Sequence, residues 1–91
     1  MKYLSKAQEA LDHASELING PRQQAYGHPS ANFARIAGRM QQMLGIDIAP
    51  WQVAQMMVEV KLARLANGWH DDSVDDAIAY LALMKELHDD A

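Results

Sequence analysis

Apolar residues recur along most of this chain at spacings of three and four, the period of a helix that buries one side. Ala7, Ala10, Leu11, Ala14, Leu17 and Ile18 form the first run. Ser5 opens it with Gln8 three residues on, a capping-box arrangement. Asn19-Gly20-Pro21 closes it, because Gly suits the left-handed position after a helix and Pro cannot continue one. The spacing predicts a helix over 5–19. Arg22 to Pro29, with Tyr26-Gly27-His28 inside it, reads as a loop. Ser30 as a cap then introduces Phe33, Ile36, Ala37, Met40 and Leu44, a second helix over 31–44 that Gly45 ends. Pro50 fits the first position of a third helix over 50–67, which stops at Asn67-Gly68. Asp72 or Ser73 caps a fourth, over 73–88.

No alternating pattern competes with these runs, so the chain is expected to be all-α. Short connections favour antiparallel neighbours, which predicts one compact four-helix domain over 1–91. The third helix is apolar almost all round, the mark of a central element, and with the fourth it should form the central antiparallel pair. A chain of 91 residues buries only about 60–65% of its unfolded surface. The thin core and the all-round apolar helix together predict a homo-oligomer, most simply a dimer.

Composition narrows the function. The 49% hydrophobic and 22% charged fractions exclude long disorder. There is no cysteine, which removes disulfides, thiolate metal sites and a cysteine nucleophile. No apolar run approaches the ~20 residues of a membrane span, and Met1 to Ser5 lack the apolar core of a signal peptide. A cytoplasmic protein with no membrane partner is expected. The net charge of −4 is uneven: residues 21–66 carry +3 and residues 67–91 carry −6. The acidic total argues against general nucleic-acid binding, which needs a sustained basic face. The basic middle suits a small anion, or else pairs with the acidic third.

Helical geometry makes some of these charges informative. Gln52, Gln55 and Glu59 share one face of the third helix, while Lys61 and Arg64 lie on another, among apolar neighbours. Two cations there need an anion, since an unpaired buried charge costs several kcal/mol. On the fourth helix Asp75, Glu86 and Asp89, with Ala79 and Ala82, define a wet face. Asp76 points instead with Tyr80, Leu83 and Leu87, and Asp72 sits one turn before it. Two carboxylates at that spacing suit a hard cation such as Mg²⁺, or serve as internal partners for Lys61 and Arg64. His28 is a capping or surface residue or a ligand contact, and Tyr26 a hydrophobic plug or a stacking surface. Met40, Met43, Met56 and Met57 read as core filler. Trp51 and Trp69 flank the third helix, and His13, His70 and His88 have no metal-ligand spacing.

Three strings are familiar in this order. Arg22-x-x-x-Tyr26-Gly27-x-Pro29-x-x-Asn32-Phe33, then Met56-Met57-Val58-x-x-Lys61-x-Ala63-Arg64-Leu65, then Asp72-Ser73-x-x-Asp76-x-x-x-Tyr80 resemble small phage-encoded domains of unassigned function, over roughly residues 22 to 84. The chain is more distantly similar to the MazG-like all-α nucleoside triphosphate pyrophosphohydrolases, which hold Mg²⁺ with a Glu-x-x-Glu pair on one helix and Glu-x-x-Asp on the next. Asp76 matches that acidic set. Ser73 stands where the second motif has Glu, and Glu59 is the sole acid of the third helix.

What the resemblance implies is a nucleotide-handling phage protein, either a divergent pyrophosphohydrolase or a binder of a nucleotide or similar phosphorylated ligand. Arg22, Tyr26, His28, Lys61 and Arg64 would then contact phosphates and base, and Asp72 with Asp76 would hold Mg²⁺. The alternative is a small phage effector that inhibits or sequesters a host protein or a defence signal without catalysis.

Overall fold

The computed structural model describes residues 4–21 and 27–89. Among them are four α-helices and no strand: α1 (Ser5–Asn19), α2 (Pro29–Leu44), α3 (Pro50–Arg64) and α4 (Asp71–Asp89), with a single 3₁₀ turn (Leu65–Asn67) between α3 and α4. The all-α expectation holds, and α3 and α4 share the most extensive contact. They run antiparallel. Trp51 at the start of α3 meets His88 at the end of α4, edge to face at 5.5 Å, while Lys61 near the end of α3 pairs with Asp76 near the start of α4.

α2 lies against α3 and touches α4 through Phe33, whose ring meets that of Tyr80 at 6.4 Å and 75°. Five residues, Gly45 to Ala49, turn the chain from α2 into α3. The turn is held by side chains. The Ile48 N–H donates to Gln41 Oε1 and the Ala49 N–H to Gln52 Oε1, at 3.1 and 2.8 Å. Gly45, at φ 71°, occupies the left-handed position that side-chain-bearing residues avoid, and its N–H closes the helix on the Gln41 carbonyl. Phe33, Ala37, Ile48, Val53, Ala54 and Leu87 form the core cluster.

Several boundaries differ from expectation by one to three residues, and two share a cause. α2 begins at Pro29 rather than after Ser30, because His28 is its cap: the Ser30 N–H donates to His28 Nδ1 at 3.1 Å. α4 begins at Asp71, because the Ser73 N–H donates to His70 Nδ1 at 3.2 Å, so neither Asp72 nor Ser73 is the cap. Imidazole acceptors fill the place that Ser, Thr, Asp or Asn usually takes. α1 starts at Ser5 with Leu4 as its cap residue and no side-chain cap bond, and Gly20 is extended (φ −81°) rather than left-handed. The last turn before Gly68 tightens to 3₁₀ geometry, so α3 proper ends at Arg64.

The wet face assigned to α4 holds at Ala82, Glu86 and Asp89, which are exposed, and is corrected at Asp75 and Ala79. α1 packs on α4 there, leaving Ala79 buried and Asp75 only 16% exposed at its side chain. Small side chains let the two helices approach: Ala14 of α1 and Ala79 of α4 are both buried. Conversely Met43 and Met56, expected in the core, are exposed. No helix among the described residues is long and apolar enough to cross a membrane.

Candidate functional site

The first two turns of α4 carry Asp72 and Asp76, and the ionisable side chains that meet there divide to two sides. On one side Asp76 Oδ2 meets Lys61 Nζ at 3.0 Å. The Lys61 side chain is only 12% exposed, so its charge sits largely out of water and depends on that carboxylate. The chain enters α2 at Pro29, one turn before Phe33, whose ring meets that of Tyr80. His28 is exposed there and spends Nδ1 on capping. Arg64, one turn beyond Lys61, is exposed and forms no ion pair among the described residues. Arg22 and Tyr26 lie outside the described residues.

On the other side α1 supplies His13. Its Nδ1 stands 2.6 Å from Asp75 Oδ2. A carboxylate only accepts, so Nδ1–H is the donor, and the imidazole is held by a strong charge-assisted bond when protonated. That hydrogen bond, reinforced by the charges of Asp75, Asp72 and Glu16, outweighs desolvation and raises the His13 pKa above its ordinary 6.5. Asp72 completes the set: a ring nitrogen of His13 and carboxylate oxygens of Asp72 and Asp75 all lie within 4.8 Å of one another. Asp72 and Asp76, expected to act as a pair, are therefore drawn to different partners.

His13 and Asp75, but not Asp72, line a groove of about 850 Å³ between α1 and the start of α4, together with Lys6, Ala10, Trp69 and Val74 among others. Trp69 is 75% exposed, and its indole N–H donates to Asp71. The volume falls in the range of small-molecule sites, roughly 300–1,000 Å³, and the lining mixes apolar side chains with the ionisable Lys6, Glu9, His13, Asp71 and Asp75.

Spacing could not reveal His13. It lies 62 residues from Asp75, and only the docking of α1 brings the two together. The available signal was the alanine run Ala7-Ala10-Ala14 on α1 facing a fourth helix with alanines of its own, a pattern that permits close helix contact.

An imidazole and two carboxylates within 4.8 Å are a plausible first half of a cation shell. An ion with ligands at about 2.1 Å, set at right angles, holds them about 3.0 Å apart. His13 and Asp75 would separate only slightly from their 2.6 Å contact to admit one, and the ion would take the place of the proton they share. Mg²⁺ fits this set less well than the all-oxygen one expected, since it favours oxygen donors alone, whereas a first-row transition ion such as Mn²⁺ takes carboxylates and binds an imidazole beside them more readily than Mg²⁺ does.

Comparison with known proteins adds the family. Residues 9–88 match the model of a domain of unknown function, DUF6378. The chain is 33% identical over 85 residues to the Gene 55 protein of Mycobacterium phage D29, covering 92% of this chain and 56% of that protein. It is 38% identical over 81 residues to the Gene 55 protein of Mycobacterium phage L5, covering 85% and 51%. The chain thus spans about half the length of these relatives. No solved structure matches.

Proposed function

The chain belongs to the DUF6378 family, with relatives among mycobacteriophage proteins, and we propose that it is a nucleotide-handling phage domain that binds a phosphorylated ligand through a divalent cation. The observation that carries this is the His13–Asp72–Asp75 set at the edge of a groove with an exposed tryptophan on its rim. An indole face supports a stacked base at about 1–3 kcal/mol per base. The corner is otherwise acidic and would repel phosphate, so a cation is what makes a nucleotide compatible with it. Lys61, engaged by Asp76, and Arg64 and His28 do not line this groove, and Arg22 and Tyr26 lie outside the described residues, so the phosphate contacts expected of these five form no part of this reading.

Binding is better supported than MazG-like hydrolysis. That chemistry draws on four acids from two helices, whereas Glu59 is exposed and Ser73, at the position of a needed Glu, is buried and bonded to His70. The cation in this proposal is of the Mn²⁺ kind, with Mg²⁺ weaker. The contrasting role, an effector acting by contact with a host protein, draws on the exposed Met43, Ile46 and Trp69.

Thermal shift with Mn²⁺ or Mg²⁺ and a panel of nucleotides separates the two. A ligand at a hundred times its Kd stabilises the native state by about 2.7 kcal/mol. A nucleotide shift that needs the cation, and that His13→Ala and Asp72→Asn remove, is expected. No shift with any nucleotide at millimolar concentration, with either cation, would leave the effector.

A further inference from the structure

Four elements supply or flank the core cluster, and α1 is not one of them. That cluster draws on α2, on Ile48 of the following turn, on α3 and on α4, with no residue from α1 within it or among the side chains packed against it. Among the described residues α1 packs on α4 and has no contact of like extent with α2 or α3. Ala14 is its one buried residue, and an alanine takes little apolar surface out of water. The 2.6 Å bond between His13 and Asp75 is the one side-chain hydrogen bond or ion pair joining α1 to α4 among the described residues.

The groove depends on that lightly held helix. Every residue lining it comes either from α1 or from residues 69–78, so α1 forms one whole wall and the groove exists only while α1 is docked. The candidate ligand set spans the same seam. His13 comes from α1, and Asp72 and Asp75, three apart on α4, come from the other side.

We propose that a divalent cation held by His13, Asp72 and Asp75 is the clasp that docks α1 on α4, so that ion binding assembles the groove and thereby controls whether a nucleotide can be held. This rests on the cation site proposed above and adds a conformational step to it. An ion that binds only the docked form favours docking by the factor 1 + [ion]/Kd. The coupling is reciprocal, so anything that keeps α1 docked tightens the ion. A nucleotide touching both walls does this, and ion and nucleotide strengthen each other through α1 as well as through direct contact. When α1 leaves, α2, α3 and α4 keep the core cluster.

Amide hydrogen exchange of the full chain tests it, with Mn²⁺ alone as the probe and its binding followed in parallel by the paramagnetic resonance of the free ion. Without the ion, amides in the middle of α1 should exchange together and at least about tenfold faster than the best protected of α3, as a unit that opens by itself does. Mn²⁺ at about ten times its Kd should slow the α1 amides about elevenfold. His13→Ala should remove that slowing, and so should Asp72→Asn, which lies at an exposed position and serves if His13→Ala fails to fold. Mn²⁺ that binds while α1 exchange stays unchanged overturns the clasp and leaves the ion site. So does an α1 that exchanges no faster than α3 without the ion, since it then leaves only when the whole chain unfolds. Slowing that survives both variants also overturns the clasp. Free Mn²⁺ undiminished at millimolar concentration removes the site and the clasp together.

Discussion

Removing the Asp76 carboxylate is the sharpest test of how the α3–α4 pair is held. The Lys61 side chain is 12% exposed and that of Asp76 30%, with 3.0 Å between the charged atoms. Breaking a fully buried pair costs about 3–5 kcal/mol, because the surviving charge is left without a partner in a medium that solvates it poorly. An exposed pair is worth about 0.2–1 kcal/mol. With nearly a third of Asp76 in water, Asp76→Ala should fall between these, at about 2 kcal/mol. For a domain of this size each kcal/mol moves Tm by about 4–8 °C, so a fall of roughly 8–16 °C is expected at fixed protein concentration. Asp76→Asn should cost less, since its amide oxygen still accepts from the Lys61 ammonium. Lys61→Met added to Asp76→Ala should recover much of the loss, because the stranded charge goes with it. Urea unfolding of the two single variants and the double variant closes the cycle. A cost below about 0.5 kcal/mol for Asp76→Ala, or losses that simply add, would show that Lys61 is solvated and that the pair does not pin the helices.

The His13–Asp75 bond makes stability depend on pH in a definite direction. The folded pKa of His13 is raised, so its contribution is fully present below 6.5 and is lost as pH rises through the folded value. His13→Ala should flatten that part of the Tm-against-pH curve, and an unchanged slope would mean the bond does not form in solution. Cation binding should run the opposite way, strengthening as pH rises through the same value, because the ion displaces the His13 proton. Glycine substitutions should differ in sign. Gly45→Ala forces a side chain into φ 71° and should cost about 1–2 kcal/mol, while Gly38→Ala, inside α2 with open space at its Cβ, should gain about 0.5–1 kcal/mol in urea unfolding.

The helices were legible because their punctuation is strong: Asn19-Gly20-Pro21, Gly45, Pro50 and Asn67-Gly68 each fall within about three residues of an observed boundary. The starts of α2 and α4 shifted because histidine is an uncommon cap, and residue preference points to the serines beside it. Helical angles turn Lys61 and Asp76 toward each other's helix but leave open whether the carboxylate pairs with the lysine or holds a cation; the 3.0 Å contact supplies the pairing. The docking of α1 could not be read from such angles. Alanine is compatible with either water or close packing, so a face carrying Asp75 and Ala79 looks solvent-facing until a partner helix is placed on it, while Ala82 farther along stays exposed. The exposure of Met43 and Met56 was hidden for a related reason: periodicity marks a side chain as apolar but says nothing of whether the fold has enough layers to cover it.

The central claim, a cation held by His13, Asp72 and Asp75 beside a nucleotide groove, is tested most directly by titrating Mn²⁺ into the protein and observing it spectroscopically. The electron paramagnetic resonance signal of free Mn²⁺ should fall as the ion binds one site per chain. His13→Ala should abolish that loss, Asp76→Asn should leave it in place, and a nucleoside triphosphate should tighten binding while quenching Trp69 fluorescence, with Trp51→Phe removing the other indole's background. Free Mn²⁺ that stays undiminished at millimolar concentration, or binding indifferent to His13→Ala, would contradict it.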